Sequence, residues 1–131
     1  MPLNQKTIQN EITLKGIGLH TGKEVTMIFK PAAIDHGYTF VRTDLEGSPS
    51  IKPLAEYVVD TQRGTNLEKN GVSINTSEHV LAAAVGLGVS NLIIEINASE
   101  PPIMDGSSKF FIEALEAAII IDQNAFVDEY I

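Results

Sequence analysis

The 131-residue chain reads as an α+β fold: a two-layer sandwich of a mainly antiparallel sheet with two helices on one face, plus a small β insert. Three observations predict this. The first half is crowded with short stretches of alternating apolar and polar residues. Asn70-Gly71, a pair suited to a two-residue hairpin turn, separates two short β-prone stretches. A helix, an apolar strand and a second helix then follow in order.

Thr7 to Lys15 alternates, with Ile8, Ile12 and Leu14 on one side and Gln9, Glu11 and Thr13 on the other, as a half-buried strand does. Gly16-Ile17-Gly18-Leu19-His20-Thr21-Gly22 is a glycine-punctuated turn. Val25, Met27 and Phe29 mark the inner face of a second strand ended by Pro31. Asp35-His36-Gly37 is a turn, with His36 facing solvent, and Tyr38 to Thr43 is a third strand rich in β-formers. Residues 44–56 carry Gly47, Pro49 and Pro53 and read as loop. Two short strands follow near Gly64–Leu67 and Val72–Asn75.

Ser77 to Leu87 predicts a helix buried almost all round, because the six residues after His79 are apolar. Thr76 or Ser77 can cap it, and Gly86 or Gly88 can end it. Asn91 to Asn97 is a strand dominated by Leu92, Ile93, Ile94 and Ile96, a run that suits burial on both faces. Ser107 to Ala118 predicts an amphipathic helix. Lys109, Glu113 and Glu116 form its wet stripe, and Phe111, Leu115 and Ala118 its buried one. From Ile119 onward the residues mix without pattern and read as a departing tail.

Composition removes several function classes. There is no cysteine, so disulfides, thiolate metal sites and cysteine nucleophiles are excluded. A net charge of −8 repels phosphate backbones and disfavours nucleic acid and anionic membrane as partners. No apolar run reaches the ~18 residues of a transmembrane helix. Met1-Pro2-Leu3-Asn4-Gln5-Lys6 lacks the apolar core of a signal peptide. The expectation is a cytoplasmic protein.

The residues most suited to chemistry are Glu78 and His79, at the start of the first helix. Side chains adjacent on a helix point ~100° apart, yet two at its end can converge on a ligand beyond it. There a histidine can hold a metal and a glutamate can take a proton from its water. Each also has a plain account: an acidic residue stabilises a first helical turn, and a histidine can be a hydrogen-bonded core residue. A catalytic zinc takes about three protein ligands. The other histidines, His20 and His36, share no helix with His79, and no His-x-x-x-His spacing occurs. Asp105 or Ser107 can cap the second helix, or Asp105 can support a site near the first. Gly16-x-Gly18 lacks the third glycine and the context of a dinucleotide motif.

Four segments then occur in a telling order: Gly16-Ile17-Gly18-Leu19-His20-Thr21-Gly22; Thr76-Ser77-Glu78-His79-Val80-Leu81-Ala82-Ala83; Gly86-Leu87-Gly88-Val89-Ser90-Asn91; and Pro102-Ile103-Met104-Asp105-Gly106-Ser107. Together they closely resemble the UDP-3-O-acyl-N-acetylglucosamine deacetylases, zinc-dependent enzymes of bacterial lipid A synthesis, over about Thr7 to Ala118. The resemblance implies the first of two similar α+β domains with the active site between them. Residues 1–122 would be that domain, about 50–76 its β insert, and 123–131 the start of a linker. It implies that Glu78 is the general base and His79 one zinc ligand. A histidine and an aspartate of the second domain would complete the zinc site, and another histidine there would act as general acid. Leu19, His20, Thr21, Thr61, Gln62, Arg63 and Asp105 would bind substrate or support the site. Gln62-Arg63 departs from the apolar or small residues usual in the family after the Asp-Thr matched by Asp60-Thr61. The implied partners are a nucleotide-lipid substrate and the chain's own second domain, with a fused dehydratase in some members. The domain alone is expected to be inactive. The alternative is a docking module of the same fold that binds a partner and no metal. An RNA-binding module of similar build is disfavoured by the charge.

Overall fold

The computed structural model describes residues 4–18, 21–61, 64–75, 77–104 and 108–126. It has the expected α+β architecture. The main sheet has five strands: β2 (Ile12–Ile17), β3 (Glu24–Pro31), β4 (Tyr38–Arg42), β5 (Ser50–Ile51) and β9 (Leu92–Ile96), in the order β2-β3-β9-β4-β5. All neighbours are antiparallel except β4 and β9, which run parallel with Phe40 opposite Ile94. A single 3₁₀ turn, Ala55–Tyr57, leads into the insert. The insert is a three-stranded antiparallel sheet of β6 (Val58–Thr61), β7 (Gly64–Lys69) and β8 (Val72–Ile74). As expected, Asn70-Gly71 turns its hairpin, with φ of 52° and 80°, the pair of positive angles a type I′ turn needs.

Helices α1 (Glu78–Gly86) and α2 (Lys109–Ala117) pack against each other. Val80, Ala83 and Ala84 of α1 join Phe111, Ala114 and Leu115 of α2 in one core with Val25, Met27, Phe29, Phe40, Leu92, Ile94 and Ile96 of the sheet. Burying a side chain the size of Phe29 or Ile94 stabilises by about 1.5–3 kcal/mol, so this layer dominates folding. The sheet's other face is wetter. On it Lys30 of β3 bridges Glu95 of β9 at 3.1 Å and Glu11 at 3.4 Å.

Several expectations need correcting. The alternating stretch from Thr7 is not one strand. It breaks at Gln9-Asn10 between β1 (Asn4–Ile8) and β2. The cause is tertiary: the Gln9 and Asn10 N–H groups donate to the Ile119 and Ala118 carbonyls at the end of α2. Gly16 and Ile17 belong to β2, not to the turn. The segment after Ile119 is not a departing tail. Ile120–Phe126 forms β10, which pairs antiparallel with β1 as a separate two-stranded sheet. Helix α1 is not buried all round: Val85 is 64% exposed, and Ala82 and Gly86 share its open side. β9 fully buries only Leu92, Ile94 and Ile96, while Ile93 and Glu95 are half-buried on the other face. His36 does not face open solvent. It is half-buried, its ring 2.9 Å from Thr39 Oγ1, and burial with the nearby Lys52 charge lowers its pKa.

Both helix ends show how the sequence sets their limits. Ser77 stands at the N-cap of α1, wholly buried, and its carbonyl accepts the Leu81 N–H; its hydroxyl makes no capping bond. At the other end Gly88 takes φ +74°, and the Gly88 and Val89 N–H groups donate to the Val85 and Ala84 carbonyls. That pair of bonds is the Schellman arrangement, which favours glycine at this place.

Candidate functional site

The site is built where three segments meet: the start of α1, the turn after β2, and the segment after β9. Glu78 and His79 occupy the first turn of α1, both half-buried. Their placement depends on what lies one turn on. Val80, Ala83 and Ala84 are buried, and the small alanines let α1 lie close to its neighbours. This leaves the helix little freedom to roll. A carboxylate in the first turn also suits the positive end of the helix dipole.

The segment Ser99–Ile103 is a strap that joins the other two. The Ser99 carbonyl accepts the Asn75 N–H at 2.6 Å, three residues before Glu78. Pro102 forms an isolated antiparallel bridge with Gly18, and the Ile103 N–H donates to the Ile17 carbonyl at 2.8 Å. Glu100, 1% exposed, accepts the Thr21 N–H on Oε2 at 3.0 Å.

Gly16 and Gly18 now have their explanation. A Cβ on Gly16 would lie 2.8 Å from Pro102 Cβ, and one on Gly18 would lie 2.6 Å from Thr21 Oγ1 and 3.0 Å from Glu100 Cδ. The glycines are there because the strap lies against them. The turn itself closes through Gly18 N–H to the Lys23 carbonyl and Gly22 N–H to the Gly18 carbonyl.

Of the expected site residues, the structure places Glu78, His79 and Thr21. Leu19, His20, Gln62, Arg63 and Asp105 lie outside the described residues, as does the side chain of Thr61, whose backbone ends β6. Sequence reasoning missed Glu100. Nothing in its local pattern marks a glutamate before Pro101-Pro102 for burial. The one available signal was the pair Gly16-x-Gly18, which implied that some segment approaches closely.

The Gly86-to-Asn91 segment, prominent in the sequence, builds the fold instead. Asn91 Nδ2 donates to Gln5 Oε1 at 2.8 Å and Gln123 Oε1 at 2.7 Å, and Asn91 Oδ1 accepts the Gly37 N–H at 2.8 Å. Arg42 is another structural anchor. It grips Asp44 through Nε and Nη2, donates from Nη1 to the Ser73 carbonyl of β8, and so fastens the insert to β4. A basic groove of about 270 Å³ between His36, Lys52, Tyr57 and Lys69 contains none of the expected site residues.

His79 offers one imidazole, where a catalytic zinc takes about three protein ligands. Among the described residues no group of three His, Cys, Asp or Glu side chains could hold a metal. None of the described helices is long and apolar enough to cross a membrane.

The structure thus sets a carboxylate and an imidazole in consecutive positions at the start of a packed helix, on a sheet-and-helix sandwich. A family model described as UDP-3-O-acyl N-acetylglycosamine deacetylase matches residues 5–130. The chain belongs to this family. It is 52% identical over 95% of its length to the bifunctional enzyme LpxC/FabZ of Chlorobaculum tepidum, covering 27% of that protein. It is 45% identical over 98% of its length to the enzyme of that name from Bacteroides thetaiotaomicron, covering 28%. It is 46% identical over 93% of its length to the UDP-3-O-acyl-N-acetylglucosamine deacetylase of Myxococcus xanthus, covering 39%. The chain thus spans between a quarter and two fifths of these curated relatives.

Proposed function

We propose that this chain is the N-terminal domain of a cytoplasmic, zinc-dependent deacetylase that hydrolyses the acetamide of UDP-3-O-acyl-N-acetylglucosamine in lipid A synthesis. The observation that carries the reading is the Glu78-His79 pair, set in the first turn of α1 in a chain of this family. Glu78 accepts the proton of the attacking water, and its position in a half-buried turn keeps the carboxylate within reach of a ligand off the helix end. His79 contributes one imidazole to the metal. When bound, zinc polarises the amide carbonyl and lowers the pKa of its water. The remaining ligands and the general acid belong to the second domain. Thr21 on the closed turn contacts substrate, and Leu19, His20, Thr61, Gln62, Arg63 and Asp105 line or support the same site.

The second domain would cover apolar groups that this domain leaves open on both helices, Val85 on α1 and Phe110 on α2. An apolar groove of about 350 Å³ beside Ile17, Met104 and Phe110 continues that surface. The relatives' greater length is consistent with a second domain.

Metal analysis tests the reading. The full-length protein is expected to hold one zinc per chain and to release acetate. His79→Ala should lose the metal and the turnover together, and the isolated domain should have neither. A full-length protein without metal and without turnover would favour a docking module of the same fold.

A further inference from the structure

Glu100 is the one carboxyl group in the described core that the reaction above does not use. Burying a carboxyl group costs free energy that only hydrogen bonds return. An apolar side chain before Pro101 would fill the same space without that cost. What the carboxyl does is specific: Oε2 takes the Thr21 N–H, while Gly18, stripped of a side chain, lies against Cγ and Cδ. The same short strap takes the Asn75 N–H on the Ser99 carbonyl, just ahead of Glu78. The turn after β2 and Asn75, three positions ahead of Glu78, are thus held by adjacent residues of one segment.

We propose that Glu100 is a positioning residue, fixing Thr21 in the place where the turn after β2 binds the substrate that Glu78 and His79 act on. The inference rests on the deacetylase reading above. Binding of this kind is shared by ground and transition state, so its loss raises KM and leaves kcat nearly unchanged.

The test uses the full-length enzyme. Glu100→Met keeps most of the volume and removes the acceptor, and Glu100→Gln keeps an acceptor. Gly18→Ala pushes on the same contact from the other side and leaves the carboxyl unaltered. The methionine variant should raise KM by about tenfold or more with kcat within about threefold, zinc content kept and thermal unfolding cooperative. Glutamine should restore most of the KM. Gly18→Ala should move KM in the same direction as methionine, and it decides the matter if the methionine variant does not fold. A KM within about twofold of the parent in the folded variant overturns the proposal. So does a loss of kcat that merely follows the folded fraction, with KM unmoved. Glu78→Gln run alongside separates the two failures. If it leaves turnover intact, the catalytic reading is wrong; if it abolishes turnover while KM ignores Glu100, only the positioning role is.

Discussion

Asn91 joins three parts of the chain that are far apart in sequence. Its amide binds Gln5 of β1, Gln123 of β10 and the Gly37 N–H before β4, and its own carbonyl accepts the Thr7 hydroxyl. Gln123 in turn donates to the Ala32 carbonyl, and Gln5 to Asp35. A buried network of this kind is costly to break, since each orphaned partner keeps its desolvation penalty. Asn91→Ala should lower stability by about 2–4 kcal/mol in urea unfolding, far more than a typical surface change. A change under about 0.5 kcal/mol would show that the network contributes little. Such roles cannot be read from local pattern. Asn91 stands at a strand border and Glu100 just before Pro101-Pro102, and the burial of both depends on residues that lie tens of positions away. The place of Glu78 and His79 at a helix start was legible for the opposite reason: it is a local property, set by the apolar run that follows them.

At the level of elements, local chemistry was a good guide where the partner was also local. The Asn70-Gly71 hairpin, the Gly88 stop of α1 and the wet and dry stripes of α2 were all visible in sequence. The strand break at Gln9-Asn10 was not, since alternation continues across it and the cause is the end of α2. β10 was missed for a similar reason. It contains Asn124 at φ 53° and mixes apolar with polar residues, so no period marks it; its pairing with β1 makes it a strand. This gives it a structural duty. Ending the chain after Ile119 removes the partner of β1 and takes Gln123 from the Asn91 network. That truncation should abolish cooperative urea unfolding. A sharp transition with the parent's m-value would show that β10 is dispensable.

Over the whole molecule, the charged and phenolic groups set a pH window for stability. Asp44 is held below its ordinary pKa, first by its hydrogen bond to Arg42 and then by the Arg42 charge. A depressed folded-state pKa contributes stability above the unfolded value near 4, and this is lost as pH falls through the folded value. Tyr38 moves the other way. Burial raises its phenol to about 12, and its hydroxyl donates to the Val89 carbonyl. That contribution is complete below pH ~10 and disappears as pH rises through about 12. Replacing Tyr38 with Phe should flatten the alkaline limb of the stability curve, and replacing Asp44 with Asn should flatten the acid limb. An unchanged limb in either variant would remove that group from the account.

The fold class and the core were legible because hydrophobic period reports burial directly. The buried Glu100 strap was not, because its contacts with Gly18 and Thr21 come from a distant part of the chain. The central claim, that Glu78 is the base of a deacetylase site shared between two domains, is tested most directly by acetate release from the full-length Glu78→Gln protein with its metal content measured in the same sample. Turnover lower by about 10²–10⁴-fold with zinc retained is the predicted result. Turnover close to the parent's, with the same zinc content, would contradict it.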